Sequence, residues 1–236
     1  HQLASQPFVH AAAAALTAGD LDAREEWPGR LASTTMPLQP FDAGFHHYLA
    51  CWLALLRADL PAAMEHLVHS EKLSAGLGLW FVDASLLQAR SQILMQMGST
   101  GSAAEPAVRL QALARANRSH LFEFTALLLD AQRALDENRE TQALESLAGA
   151  MAIGRQRGLL NTYCWLPRVM ARLCAKALEA GIETDYVRAL VRQRALPPSD
   201  DARDLEVWPW PIKIYTLGRL SIFSNEKALE FRGKAQ

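Results

Sequence analysis

Through most of the chain, apolar residues recur at helical rather than strand spacing. Leu121, Phe124, Leu128, Ala131 and Leu135 follow a 3, 4, 3, 4 step that puts them on one helix face, and good helix formers dominate the first two hundred positions. Breakers cut this pattern into segments of helix length: Ala18-Gly19-Asp20, Trp27-Pro28-Gly29, Pro37 to Pro40, Arg57-Ala58-Asp59, Gly76-Leu77-Gly78, Gly98 to Gly101, Asn117-Arg118-Ser119, Asp136-Glu137-Asn138, Gly158 and Gly181. The connections are short, so consecutive helices must run antiparallel.

The breakers form two interleaved series. Gly76, Asn117 and Gly158 lie 41 residues apart, while Asp20, Asp59, Gly98 and Asp136 step by 39, 39 and 38. Two turn series with one shared period describe a helix pair repeated four to five times, and the 41-residue step also aligns Phe81 with Phe122 and Tyr163, and Leu87 with Leu128 and Val169. First helices are predicted near 5–18, 41–57, 79–97, 119–135 and 159–180, with partner helices near 21–33, 60–75, 102–116, 138–157 and 183–194. A single pair cannot bury both apolar faces, so successive pairs stack. The expected fold is all-α, a right-handed superhelix of antiparallel, tetratricopeptide-like helix pairs over 1–195, with the first helix of each pair lining a concave face.

The pattern changes after Ala195-Leu196-Pro197-Pro198. Residues 196–211 read as a linker, because the two prolines in Trp208-Pro209-Trp210-Pro211 forbid helix. From Ile212 the period becomes two, and short β-strands are expected over 212–217, 220–223 and 228–231. Residues 212–236 carry five cations against two acids, a net +3, which leaves −4 for the rest of a chain whose net charge is −1.

Half of the 236 residues are hydrophobic and Lys+Arg (24) nearly balance Asp+Glu (25), which excludes disorder and any attraction of the whole surface to nucleic acid or anionic membrane. The most apolar windows, Ala11 to Leu16 and Tyr48 to Leu56, fall far short of the roughly 20 residues that span a bilayer. The start, His1-Gln2-Leu3, has neither an initiator Met nor the layout of a signal peptide and reads as a cut inside a longer protein. Cys51, Cys164 and Cys174 have no metal-ligand spacing and suit reduced, buried thiols in a cytoplasmic protein.

Trp52, Trp80, Phe81, Tyr163 and Trp165 fall on first helices. Aromatic rings there could grip an inducer or an apolar peptide on the concave face, with Asp83, Arg90, Asp130 and Arg168 as polar partners; alternatively the rings pack between repeats. Trp208 and Trp210 either dock the linker on the last helices or fill a sheet edge. His46, His47, His66 and His69 are the candidates for a metal site, since His66 and His69 sit one turn apart beside Glu65; the other reading is solvated or interface histidines. The chain contains no phosphate-binding loop, no Gly-x-Ser-x-Gly elbow and no Cys beside a His, so no cofactor and no enzymatic activity are expected.

The tail WPWPIKIYTLGRLSIFSNEKALEFRGKAQ resembles the start of the winged-helix DNA-binding domain of the OmpR/PhoB type, found at the C-terminus of MalT-like bacterial transcriptional activators. Thr216-Leu217-Gly218, Leu220 to Phe223, Leu229 to Phe231 and Lys234-Ala235-Gln236 carry the match in order. The helical array is similar to the tetratricopeptide-like superhelix of the same proteins, although its period is nearer 40 than 34. The resemblance implies a module that senses a small-molecule inducer or a protein partner and relays the signal to the output domain. It also implies that DNA is read only by a recognition helix beyond Gln236. The alternatives are a metal-dependent helical-repeat hydrolase using the four histidines, or a ligand-free scaffold for homo-oligomers.

Overall fold

A computed structural model describes residues 40–160, 165–199, 202–203, 205–217, 221–224 and 227–229. The helix pair predicted within 5–33, together with Tyr163 and Cys164, lies outside the described residues. Three helix pairs then keep one period. They are α1 (Pro40–Leu56) with α2 (Leu60–Ser74), α3 (Trp80–Gln96) with α4 (Thr100–Ala116), and α5 (His120–Asp136) with α6 (Glu140–Arg157). Each first helix starts and stops 40 residues after the one before, and each partner helix starts 40 residues after its predecessor. A shorter pair follows, α7 (Pro167–Glu179) and α8 (Thr184–Gln193).

The turns explain why the sequence alone suggested two different steps. The backbone goes left-handed at Ala58, Gly98 and Asn138 (φ 59°, 74° and 57°) within pairs, and at Gly78, Arg118 and Gly158 (φ 65°, 51° and 64°) between them, always 40 residues apart. Asn117, chosen from its residue type, has φ −99° instead. What fixes the left-handed position is the closing hydrogen bond that reaches back five residues, from Asp59 N to Ala54 O (2.9 Å), Ser99 N to Leu94 O (2.9 Å) and Arg139 N to Ala134 O (2.8 Å). These bonds satisfy orphan carbonyls at each helix end, and they hold Ala58 and Arg118 in a conformation glycine would adopt more cheaply.

Burial follows the same 40-residue step. Cys51, Ser91 and Ala131 are fully buried at one position of the first helices, and Ala63, Ala103 and Ala143 at one position of the partners. Small residues there let the two helices of a pair approach closely; on the first pair Ser70 Oγ reaches across to donate to Gly44 O at 2.7 Å. Three apolar clusters result. One joins α1, α2 and α3 around Trp52, Leu67 and Ile93; a second joins α3, α4 and α5 around Leu110; the third joins α5 to α8 around Phe124, Leu147 and Val187. Helix packs on helix only between neighbours in sequence or elements one removed, with α1, α3, α5 and α7 touching in series. The array is therefore modular, as the all-α helical-repeat expectation required.

The last first helix departs from the prediction. It begins at Pro167 instead of near 159, because Gly158 closes α6 and proline forces the preceding Leu166 into extended backbone (ψ 117°). Trp165 and Leu166 thus leave the helix and lie across its entrance.

Beyond α8 the linker is packed down. Trp208 is 2% exposed, in the same cluster as Leu196, Ala202 and the apolar face of α7, and the Trp210 indole donates to Leu205 O at 3.0 Å. Of the two readings of these tryptophans, docking on the last helices is the observed one. Three short antiparallel strands follow, β1 (Ile212–Tyr215), β2 (Ser221–Ser224) and β3 (Lys227–Ala228), in the order β1-β2-β3, with Ile212 opposite Ser224 and Phe223 opposite Ala228.

Candidate functional site

The first helices do not present the residues expected of them. Trp52 is 1% exposed inside the α1–α2–α3 cluster, so its ring is core. Trp80 packs edge-on against Phe81 and Phe122, with centroids 6.2 Å and 5.8 Å away, at the N-terminal ends of α3 and α5. Arg90 is clamped by Glu71 of α2 (Nε to Oε1 2.8 Å), a hydrogen bond that raises the guanidinium pKa further and ties α2 to α3. Asp130 is held by Arg133 one turn on and by Ser146 Oγ of α6 at 3.2 Å. Asp83 and Arg168 are exposed. Helical spacing placed these side chains on first helices without saying which way each helix is rotated against its neighbours.

What does converge, where α3, α5 and the start of α7 meet, is a set of uncharged groups. Gln88 and Gln92 come from α3 and Thr125 and Gln132 from α5, each at most 7% exposed. Trp165, Leu166, Val169, Met170 and Leu173 close the other side. Gln92 and Gln132 occupy the same position of successive repeats, and Gln92 Nε2 donates to Gln132 Oε1 at 3.2 Å. Thr125 Oγ1 is turned back to Leu121 O of its own helix at 3.0 Å. The cavity measures about 40 Å³. That is room for a few water molecules, each needing roughly 10–15 Å³, against the roughly 300–1,000 Å³ of a pocket enclosing a small molecule.

Trp165 also lines a second, smaller cavity of about 10 Å³, beside Leu160, Leu190 and Arg194. There the Arg194 guanidinium lies 4.3 Å from the indole centroid, and burial pushes its pKa down to about 10. Trp165 thus joins the cleft to the end of α8.

No family model, curated protein or solved structure matches this chain. Its chemistry is read from its own side chains. Burial pushes the Cys51 and Cys174 thiols up to about 12, so both are protonated and inert as nucleophiles at neutral pH. Among the described residues, no group of three or more His, Cys, Asp or Glu is placed to hold a metal ion, and no helix is long and apolar enough to cross a membrane. The four histidines instead form a contact between α1 and α2, with His47 Nδ1 3.0 Å from His66 Nδ1 and the His47 ring stacked 5.0 Å from that of His69.

The amide cleft was missed because glutamine carries no helical-period signal. The available signal was its recurrence at the repeat step, Gln92 to Gln132.

Proposed function

We propose that this chain is the signal-receiving helical-repeat module of a bacterial transcriptional regulator, taking an uncharged inducer or a protein partner at the α3–α5–α7 cleft and relaying the event to a C-terminal DNA-binding domain. The observation that carries the reading is the double duty of α7. Met170 and Leu173 line the cleft and also belong to the apolar cluster that holds Trp208 of the linker. A ligand that prised Gln92 from Gln132 would displace α7 and with it the seat of the linker. The closed cleft is then one of two states, and a ligand preferring the open one shifts the population by its difference in affinity for the two. The lining favours a ligand that is neutral and able both to donate and to accept hydrogen bonds, since carboxamides supply both and no ionisable group faces it.

The test is a promoter reporter driven by the intact regulator. Deleting residues 1–195 is expected to abolish the response to inducer, and Gln92→Ala to weaken it; unchanged induction after the deletion overturns the sensing role.

A further inference from the structure

The cluster His46, His47, His66 and His69 stands apart from the cleft and has a chemistry of its own. His47 Nδ1 and His66 Nδ1, on helices facing each other, are 3.0 Å apart, a distance at which one nitrogen must carry the proton and the other must accept it. His69 Nδ1 lies 2.9 Å from Glu65 O; a carbonyl only accepts, so His69 is protonated at Nδ1. The His47 ring is stacked on that of His69, and the His46 ring centroid lies 5.6 Å from that of His47.

Proton counting on the facing pair gives a sharp result. In the neutral pair one ring donates through Nδ1 and the other carries its proton on Nε2. A first added proton goes to the free Nε2 of the donor ring, turning the contact into a charge-assisted N–H···N bond and keeping the helices together. A second has only the accepting Nδ1 left to bind, which would set N–H against N–H. We propose that the α1–α2 contact is a proton-operated latch that takes up one proton while closed and a second only by separating α1 from α2.

Every titratable neighbour shown to act on the pair is identified: His46 on α1, and His69 and Glu65 on α2, of which only Glu65 favours the charged rings. The third helix packed on them, α3, meets α1 and α2 through apolar Leu86, Ala89 and Ile93 and through the Arg90–Glu71 ion pair. Burial first, and neighbouring imidazoles second, lower the pKa of His46 and of His47 below 6.5. A histidine whose pKa is depressed by folding contributes stability that is complete above 6.5 and is lost as pH falls below it, because the unfolded chain then binds more protons. Opening on acidification is the consequence, and it begins at the first described pair, well away from α7.

Hydrogen exchange of the full chain, corrected for intrinsic rates, tests this at about pH 7.5 and pH 5. Amides of α1 and α2 are expected to lose protection by ~tenfold or more relative to α5 and α6, the equivalent of a one-unit displacement on one histidine. His66→Asn, which keeps an amide where Nδ1 stands and cannot be charged, is expected to remove that difference. Protection that stays level, falls equally along the array, or falls as much in His66→Asn overturns the proposal. Should the variant not fold, spectra of ¹⁵N-histidine in the wild-type chain decide. His47 and His66 are expected to titrate in two separated steps, the second coinciding with loss of protection in α1 and α2; a single common step overturns the latch.

Discussion

Gln92 and Gln132 sit one repeat apart on consecutive first helices and hydrogen bond to each other at 3.2 Å, each at most 5% exposed. Buried carboxamides are costly unless paired, so truncating one partner strands the other. Gln132→Ala is expected to cost about 1–3 kcal/mol, whereas replacing both with Leu is expected to be nearly neutral. Urea denaturation of the two singles and the double, read as a cycle, measures the coupling. Additive losses would mean that the pair does not act as a unit.

The period of the array was legible in the sequence to within one residue, and its left-handed turn positions were not. Composition marks Gly98 and Gly158 correctly, but it cannot pick Ala58 or Arg118, where the closing hydrogen bond overrides residue preference. The strands after Ile212 followed from a change of period that owes nothing to tertiary context. The site resisted for the opposite reason. Whether Trp52 or Gln92 faces the cleft depends on the rotation of each helix against its neighbours, which small residues such as Cys51, Ser91 and Ala131 determine by allowing close approach. Aromatic residues drew attention as ligand platforms, yet their large apolar area is what the repeat interfaces bury first.

Left-handed backbone supplies a clean stability test. A Cβ at Gly98 would meet no atom within 4 Å, so Gly98→Ala isolates the conformational term. A loss of about 1 kcal/mol is expected there, and Arg118→Gly, which relieves the same strain one turn later in the chain, is expected to gain about 0.5–1 kcal/mol. Thermal melts of both variants check the two signs. Equal and opposite signs would fail to appear if the turns relaxed independently of the helices they close.

Gly154 marks the tightest approach of α6 to α8. A Cβ there would run into the Tyr186 hydroxyl, which now donates to Leu159 O at 2.7 Å. Gly154→Ala must move the ring and break that bond, and is expected to cost about 2–4 kcal/mol; Tyr186→Phe, which loses the bond alone, is expected to cost about 1 kcal/mol. Denaturant titrations compare them, and a cost for Gly154→Ala no larger than for Tyr186→Phe would show that α8 yields freely.

The seat of the linker is the prediction on which the relay depends. Trp208 is 2% exposed against the cluster that includes Met170 and Leu173, so Trp208→Ala removes a large buried ring at the junction of array and tail. The cost, about 3–5 kcal/mol for such a truncation, falls on the docking of a short segment that has few other anchors, so release of 196–211 outcompetes unfolding of the helices. Limited proteolysis is expected to cut the variant within that segment while leaving α1 to α6 intact. In the intact regulator the same substitution is expected to leave ligand binding at the cleft within a few-fold of normal and to abolish the transcriptional response. Cleavage spread along the array would mean that Trp208 stabilises the whole stack, and a response retained without it would mean that the signal reaches the tail by another route.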